Sequence, residues 1–225
     1  VYWWEFPYTN NNMQTITAIT AQIKNKDRVN IFLDDRYAFS LAIAAAQGLK
    51  IGDTLSEEER AERQAKDTLE KAKEQVIRYI VQRPRSVTEV RRYLQGKGYD
   101  EAQVEQILSR VQAMNLLDDT AFTEYWIDQR LTFKPRSQMA LRYELRQKGV
   151  SQDVMESLLN EVDEVAAATS AAAGKLNSLR HLPQDQFRAK MGGYLQRRGF
   201  QYATIRQVID DLWREINDEQ DETGE

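Results

Sequence analysis

Three glycines, Gly98, Gly149 and Gly199, stand 51 and 50 residues apart. Each follows a leucine by four positions (Leu94, Leu145, Leu195). Each is preceded by a basic residue (Lys97, Lys148, Arg198) and followed by an apolar one (Tyr99, Val150, Phe200). Glycine takes the left-handed conformation that ends a helix, so each marks a place where a helix stops and the chain reverses. Recurrence at this interval means one building unit used three times, which points away from a fold built round a single catalytic cavity.

The flanking residues extend the repeat. Ser86 caps a helix with Val87, Val90 and Leu94 on one stripe, and Lys97 lies in its last turn, where a cation is favoured. Asp100 caps the next helix, with Val104, Ile107, Leu108 and Val111 on one face. Ser137 and Ser151 cap the corresponding helices of the second unit, whose face is Met155, Leu158, Leu159 and Val162. In the third unit the face is Ile205, Val208, Ile209 and Leu212. All three faces stand six, nine, ten and thirteen residues beyond their glycine. Leading helices over roughly 72–82, 119–131 and 163–181 complete three units of three helices. Stacked end to end, such units predict a mainly α, elongated and curved body.

Ahead of the repeats, 15–22 alternate as TITAITAQ, followed by Val29, Ile31 and Leu33, a turn at Asp34-Asp35, then Tyr37, Phe39 and Leu41. Period two with β-branched and aromatic residues predicts three short antiparallel strands. Ser56 and Glu59 form a capping box opening a charged helix that Pro84 stops. The resulting division is a non-native or flexible leader (1–13, with Met13 as a natural start), a small β region (14–55), a charged bridging helix (56–72), three-helix repeats at 73–117, 118–162 and 163–214, and an acidic disordered tail (215–225). The leader carries five aromatics in its first eight residues, and its other reading is an aromatic hook for a partner.

Composition narrows function. The chain has no cysteine and one histidine, His181, which excludes thiolate and His-rich metal sites. No phosphate loop, HExxH or Ser-His-Asp set is present, so the expectation is no enzyme, no cofactor and no metal. No stretch approaches the roughly 18 apolar residues of a membrane helix, and cytoplasmic residence without a membrane partner is the default. Net charge is −4, yet residues 215–225 carry six acids and no base. Residues 78–98 and 130–149 each carry six Arg or Lys and one acid, and 180–198 carry five and one. Basic charge recurring with the repeat suits a polyanion or an acidic protein groove.

Asp118 and Asp119 read as caps of the helix carrying Phe122, Tyr125 and Trp126, with Phe122 and Trp126 in the core. Arg85 and Arg136 share a Pro-Arg-Ser setting at a helix start, where a cation does not help its own helix. Arg91 and Arg142 are likewise equivalent. With Arg92, Arg146, Arg197 and Arg198 these form the candidate contact set for a partner or DNA. Lys97, Lys148 and the three glycines read as architectural.

The stretches DRVNIFLDDRYAFSL, RPRSVTEVRRYLQGKGYDEAQVEQIL, NLLDDTAFTEYWIDQR, LRYELRQKGV and YLQRRGFQYATIRQVI resemble the RecX family of bacterial regulators of the RecA recombinase, over roughly residues 15–213. The resemblance implies tandem three-helix repeats that bind the RecA–single-stranded-DNA filament in its groove. It further implies opposition to recombination, ATP turnover and coprotease action in DNA repair and the SOS response; weak direct binding to DNA is a further expectation. The alternatives are a stand-alone DNA-binding protein and a helical scaffold without a recombinase partner.

Overall fold

The computed structural model describes the backbone of residues 13–223 and side chains as far as 218. The leader assigned to 1–13 thus lies outside the described residues, apart from Met13. The chain divides into two compact units, Val1–Arg78 with Glu105–Ile107 and Tyr79–Val104 with Leu108–Glu225.

The first unit holds β1 (Gln14–Ala21), β2 (Arg28–Leu33), β3 (Arg36–Ala42), the short helix α1 (Ile43–Ala46), β4 (Thr54–Leu55) and most of α2 (Glu57–Val81). The sheet is antiparallel in the order β3-β2-β1-β4. Three strands were expected; the fourth has only two residues, too few to show a period, and pairs Leu55 with Gln14. Asp34 and Asp35 have φ of 47° and 63°, the backbone of a tight hairpin whose twist matches its strands. A bulge between Ile31 and Phe32 shifts the register, so Tyr37 falls out of the alternation with Phe39 and Leu41. Tyr37 is 59% exposed and meets Phe32 edge-on, while Ile16, Ile31, Leu33, Phe39, Leu41 and Leu55 form the core.

Helix α2 opens on the expected capping box: Ser56 Oγ accepts from the Glu59 amide at 3.1 Å, and Glu59 Oε2 accepts from the Ser56 amide at 2.9 Å. The buried carboxylate of Asp67 fixes it to the sheet, taking Arg28 Nη2 at 2.7 Å and the Ala42 amide at 2.7 Å. A buried charge is stable only when so partnered. The helix is continuous through residues 72 and 73, where the bridging helix and the first repeat were separated in sequence.

The helices α2 to α10 form three sets of three. After α2 come α3 (Val87–Gly96) and α4 (Glu101–Ala113). The second set is α5 (Asp119–Phe133), α6 (Gln138–Gln147) and α7 (Gln152–Leu159). The third is α8 (Glu164–Leu176), α9 (Gln184–Gln196) and α10 (Tyr202–Thr223). Gly98, Gly149 and Gly199 have φ of 89°, 77° and 91°. Each is followed by an amide reaching back to its leucine: Tyr99 to Leu94 O, Val150 to Leu145 O and Phe200 to Leu195 O. The periodic faces point inward. Val104, Ile107, Leu108 and Val111 are buried, as are Ile205, Val208, Ile209 and Leu212. In the second set Met155 and Leu159 are buried, whereas Leu158 and Val162 are partly buried against the same core.

Two further boundaries differ from the sequence reading. The leading helix of the third set stops at Leu176, and the chain turns through 177–182 before α9. Its four buried alanines, Ala167, Ala168, Ala171 and Ala172, share a core with Phe187, Met191 and Leu195. The segment from 215, expected to be disordered, is helical to Thr223. Ile216 extends the apolar face of α10 into it, and the Glu and Gln residues beyond are good helix formers.

Candidate functional site

The repeats of the second unit are joined by shared helix ends. The hydroxyl of Ser86, which caps α3, donates to Lys148 O at 2.7 Å, bringing the start of α3 onto the end of α6. The Ser137 amide at the start of α6 donates to Arg198 O at 3.2 Å, making the same junction with the end of α9. A carboxylate from the following set completes the middle helix of the first and of the second set. Asp119, first residue of α5, accepts from the Val87 amide of α3 at 2.8 Å, and Glu164, first residue of α8, accepts from the Gln138 amide of α6 at 2.8 Å. These amides are helix-end donors that would otherwise lack partners. Asp118 caps α5 itself, through the Thr120 amide at 2.7 Å, so the two adjacent aspartates serve different helices. Burial raises the pKa of Asp119, the Val87 amide lowers it, and the neighbouring Asp118 charge raises it, leaving it above the ordinary value.

Glu89 ties the first junction electrostatically. Its carboxylate takes Arg83 at 2.9 Å and Lys148 at 2.6 Å while closing a capping box with Ser86. Burial opposes its ionisation, but the hydrogen bonds from Arg83 and Lys148 prevail and hold its pKa at about 2, against 4.5 ordinarily. A depressed carboxylate stabilises the fold above its unfolded pKa, and that stability is lost as pH falls from about 4.5 through about 2. Glu89→Gln is therefore expected to lose roughly 1–3 kcal/mol at pH 7. It should also flatten the stability profile in that acid window, as read by urea unfolding. An acid limb identical to that of the parent protein would contradict this role.

Contacts within and between the repeats engage many of the arginines singled out in sequence. The Arg85 guanidinium covers the Tyr79 ring at 3.9 Å, and Tyr79 stacks in turn on Tyr93 at 4.3 Å. Arg91 pairs with Glu101 at 2.5 Å. Arg136 and Arg130 both reach Glu144, at 3.1 and 2.6 Å, and Trp126 Nε1 donates to the same carboxylate at 2.9 Å. Arg198 donates to Pro135 O at 2.9 Å and covers Tyr194. Lys97 lies over Tyr93, and Lys148 over Trp126. Phe122 is buried, and Trp126 packs against it.

The remaining candidates are Arg92, Arg142, Arg146 and Arg197. Arg146 and Arg197 are exposed and hold no ion pair among the described residues. Arg142 is half-buried, its Nε enclosed without a hydrogen-bond partner. Arg92 is exposed and crosses to the second set, where Nη1 donates to Gln147 O at 3.3 Å. It thereby joins the face of α6 that carries Met139, Arg142, Tyr143 and Arg146, residues spaced three, four and seven apart. Met139 and Tyr143 are exposed, and the sequence reading missed both. Their signal was two large apolar residues off the buried stripe of Leu141 and Leu145. Cations interleaved with an aromatic on one helix face can hold phosphate, a nucleobase or an acidic protein surface.

Among the described residues no group of three or more His, Asp or Glu is placed to hold a metal ion. Nor is any helix long and apolar enough to cross a membrane.

Comparison with known proteins gives a consistent pattern. Residues 14–56 match the family model of the regulatory protein RecX N-terminal domain. Residues 72–110, 118–159 and 161–209 match the models of the first, second and third three-helix domains of RecX. A regulatory protein RecX of Clostridium botulinum (strain Eklund 17B / Type B) is 34% identical over 204 residues, covering 88% of this chain and 95% of that protein. One from Prosthecochloris aestuarii is 39% identical over 142 residues, covering 63% of this chain and 93% of that protein. A crystal structure of regulatory protein RecX is similar with a TM-score of 0.66 at 25% identity, covering 88% of this chain and 99% of that one. The crystal structure of RecX from Lactobacillus salivarius, at 19% identity and a TM-score of 0.57 over 65% of this chain and 97% of that one, shares the fold.

Proposed function

Since this chain belongs to the RecX family and is therefore a regulatory protein, we propose that it acts without catalysis of its own by binding the RecA–single-stranded-DNA filament. In this reading it lies in the filament groove in the cytoplasm. It competes there with incoming duplex DNA and bridges or caps recombinase subunits. Recombination, ATP turnover and coprotease action are lowered as a result, which places the protein in recombinational repair and SOS control.

The observation that carries the reading is the α6 face joined by Arg92. It presents the exposed Arg92 and Arg146 around an exposed Tyr143, with the half-buried Arg142 beside them, on helices whose spacing the junctions fix. Arg197 adds an exposed cation at the end of α9, whereas Arg85, Arg91, Arg136 and Arg198 are also held by Tyr79, Glu101, Glu144 and Pro135 O. Several such cations govern on-rate and salt dependence, and the apolar residues among them supply specificity.

The deciding experiment is co-sedimentation with an assembled recombinase filament, compared with naked single-stranded and duplex DNA at matched salt. Capture by the filament in preference to DNA alone is expected. Equal capture by naked DNA would favour a stand-alone DNA-binding protein, and capture by neither would leave a scaffold; either result overturns the filament reading.

A further inference from the structure

The third repeat carries a groove beside a glycine at the position where the other two repeats have an arginine. Aligned on their leucines and glycines, Arg91 and Arg142 correspond to Gly192, Glu101 and Gln152 to Tyr202, and Glu105 and Glu156 to Arg206. In the first repeat the position holds an arginine pinned to an acid, Arg91 to Glu101. In the second, Arg142 lies there half-buried. In the third the side chain is gone. A Cβ on Gly192 would meet only Ile209 and Ile205, at 3.7 and 3.9 Å. A cavity of about 420 Å³ opens between α9 and α10, with Ala189, Phe200, Ile205 and Ile209 among its lining residues.

The charge of the rim is inverted as well. Where the other repeats place glutamate, Arg206 stands at the edge, and Arg188 stands where they have Val87 and Gln138. Both guanidiniums lean on one carboxylate, Asp210, at 2.6 Å from Arg188 and 3.8 Å from Arg206, so the edge keeps a net positive charge. Tyr202, 78% exposed, and Gln196 complete the lining.

We infer that this groove binds one nucleotide of single-stranded DNA. The base enters between the apolar floor and Tyr202, Gln196 meets the base edge, and Arg188 and Arg206 take the flanking phosphates. The inference rests on the filament reading for its biological setting and names where the DNA strand is touched. Its chemistry stands apart from that reading. A flat apolar body attached to an anion suits an apolar slot with a cationic rim, aromatic stacking holds any base, and an amide side chain pairs with a base edge. The volume falls in the range of small-molecule sites. An acidic peptide with an apolar anchor is the competing occupant. It has less use for the Tyr202 face and the Gln196 amide, and the test separates it.

The probe is a fluorescent single-stranded oligodeoxynucleotide at low salt, with no recombinase present, measured against the full chain and two variants. Arg206→Glu restores the acid of the other repeats at an exposed position. Gly192→Arg restores the plug. Each is expected to weaken binding about tenfold with unchanged circular dichroism, and a photoactivatable 5-iodouracil strand is expected to crosslink to Tyr202. Parent-like affinity in Arg206→Glu together with crosslinks confined to other residues would overturn the assignment, whatever Gly192→Arg does to folding. Stronger binding of an acidic, tryptophan-bearing peptide than of the oligonucleotide, lost in Arg206→Glu, would overturn it in favour of a protein ligand. Failure of the filament to capture the parent protein, with crosslinking to Tyr202 intact, would remove the filament reading and leave the groove.

Discussion

Gly149→Ala is expected to lower stability by roughly 3 kcal/mol or more, whereas Gly98→Ala should lower it by only about 1 kcal/mol. Both glycines have positive φ, 77° and 89°, so both substitutions carry the same backbone penalty. They differ in surroundings. A Cβ on Gly98 would meet nothing within 4 Å, but one on Gly149 would lie 2.1 Å from Thr88 Oγ1 and 2.5 Å from Thr88 Cβ. Rotating the threonine cannot relieve a clash with its own Cβ, so the start of α3 must move off the end of α6. That movement would disturb the Ser86–Lys148 hydrogen bond and the Glu89–Lys148 ion pair as well. Gly199 is an intermediate case, with Ser137 Oγ at 2.5 Å and Ala140 Cβ at 3.0 Å. Urea unfolding of the three alanine variants tests the ranking. Equal losses at Gly98 and Gly149 would mean that backbone conformation alone, not contact between repeats, selects glycine.

Reversing Arg92 and Arg146 together to glutamate is expected to weaken filament binding on the order of 10–100-fold at low salt, with helicity and unfolding midpoint close to the parent values. Both residues are exposed, neither holds an ion pair among the described residues, and Arg92 makes a 3.3 Å hydrogen bond to Gln147 O, so little folding energy is at stake. The salt dependence of binding should become shallower at the same time, since two counterion-releasing contacts are removed. Reversing Arg136 and Arg198 should behave in the opposite way. These hold Glu144 and Pro135 O, so the main effect is lost stability. Unchanged affinity in the Arg92 and Arg146 double variant would remove the α6 face from the proposed contact surface.

Local signals in the sequence were sufficient for the repeat. A glycine stop, a serine or aspartate cap and four apolar positions at fixed distances all act within one helix and its turn; the glycine stops appear where the pattern put them, as do the side-chain caps of Ser86, Asp100 and Ser137, whereas Ser151 stands at the start of α7 without a side-chain capping hydrogen bond. Strand β4 left no signal because two residues define no period. The junction caps left none because Asp119 is 32 residues from Val87, and Glu164 is 26 from Gln138. The use made of each arginine was hidden for the same reason. Arg92 and Arg198 find acceptors 55 and 63 residues away, and nothing in their neighbourhoods separates a cation turned inward from one left at the surface. Tyr37 was misplaced by a bulge, which adds a residue to one strand without altering composition. The groove of the third repeat was legible in principle. Gly192 breaks a column occupied by arginine in the other two units, but its meaning depends on the cavity beside it.

The borrowed carboxylates also impose a schedule on synthesis. A nascent chain leaves the ribosome amino end first, at about 5–20 residues per second. Helix α3 can form its own turns at once, yet the Val87 amide waits for Asp119, and the Gln138 amide of α6 waits for Glu164. Each delay is on the order of a few seconds. The chain therefore matures in one direction, α3 and α6 remaining provisional until the next set arrives to close each of them.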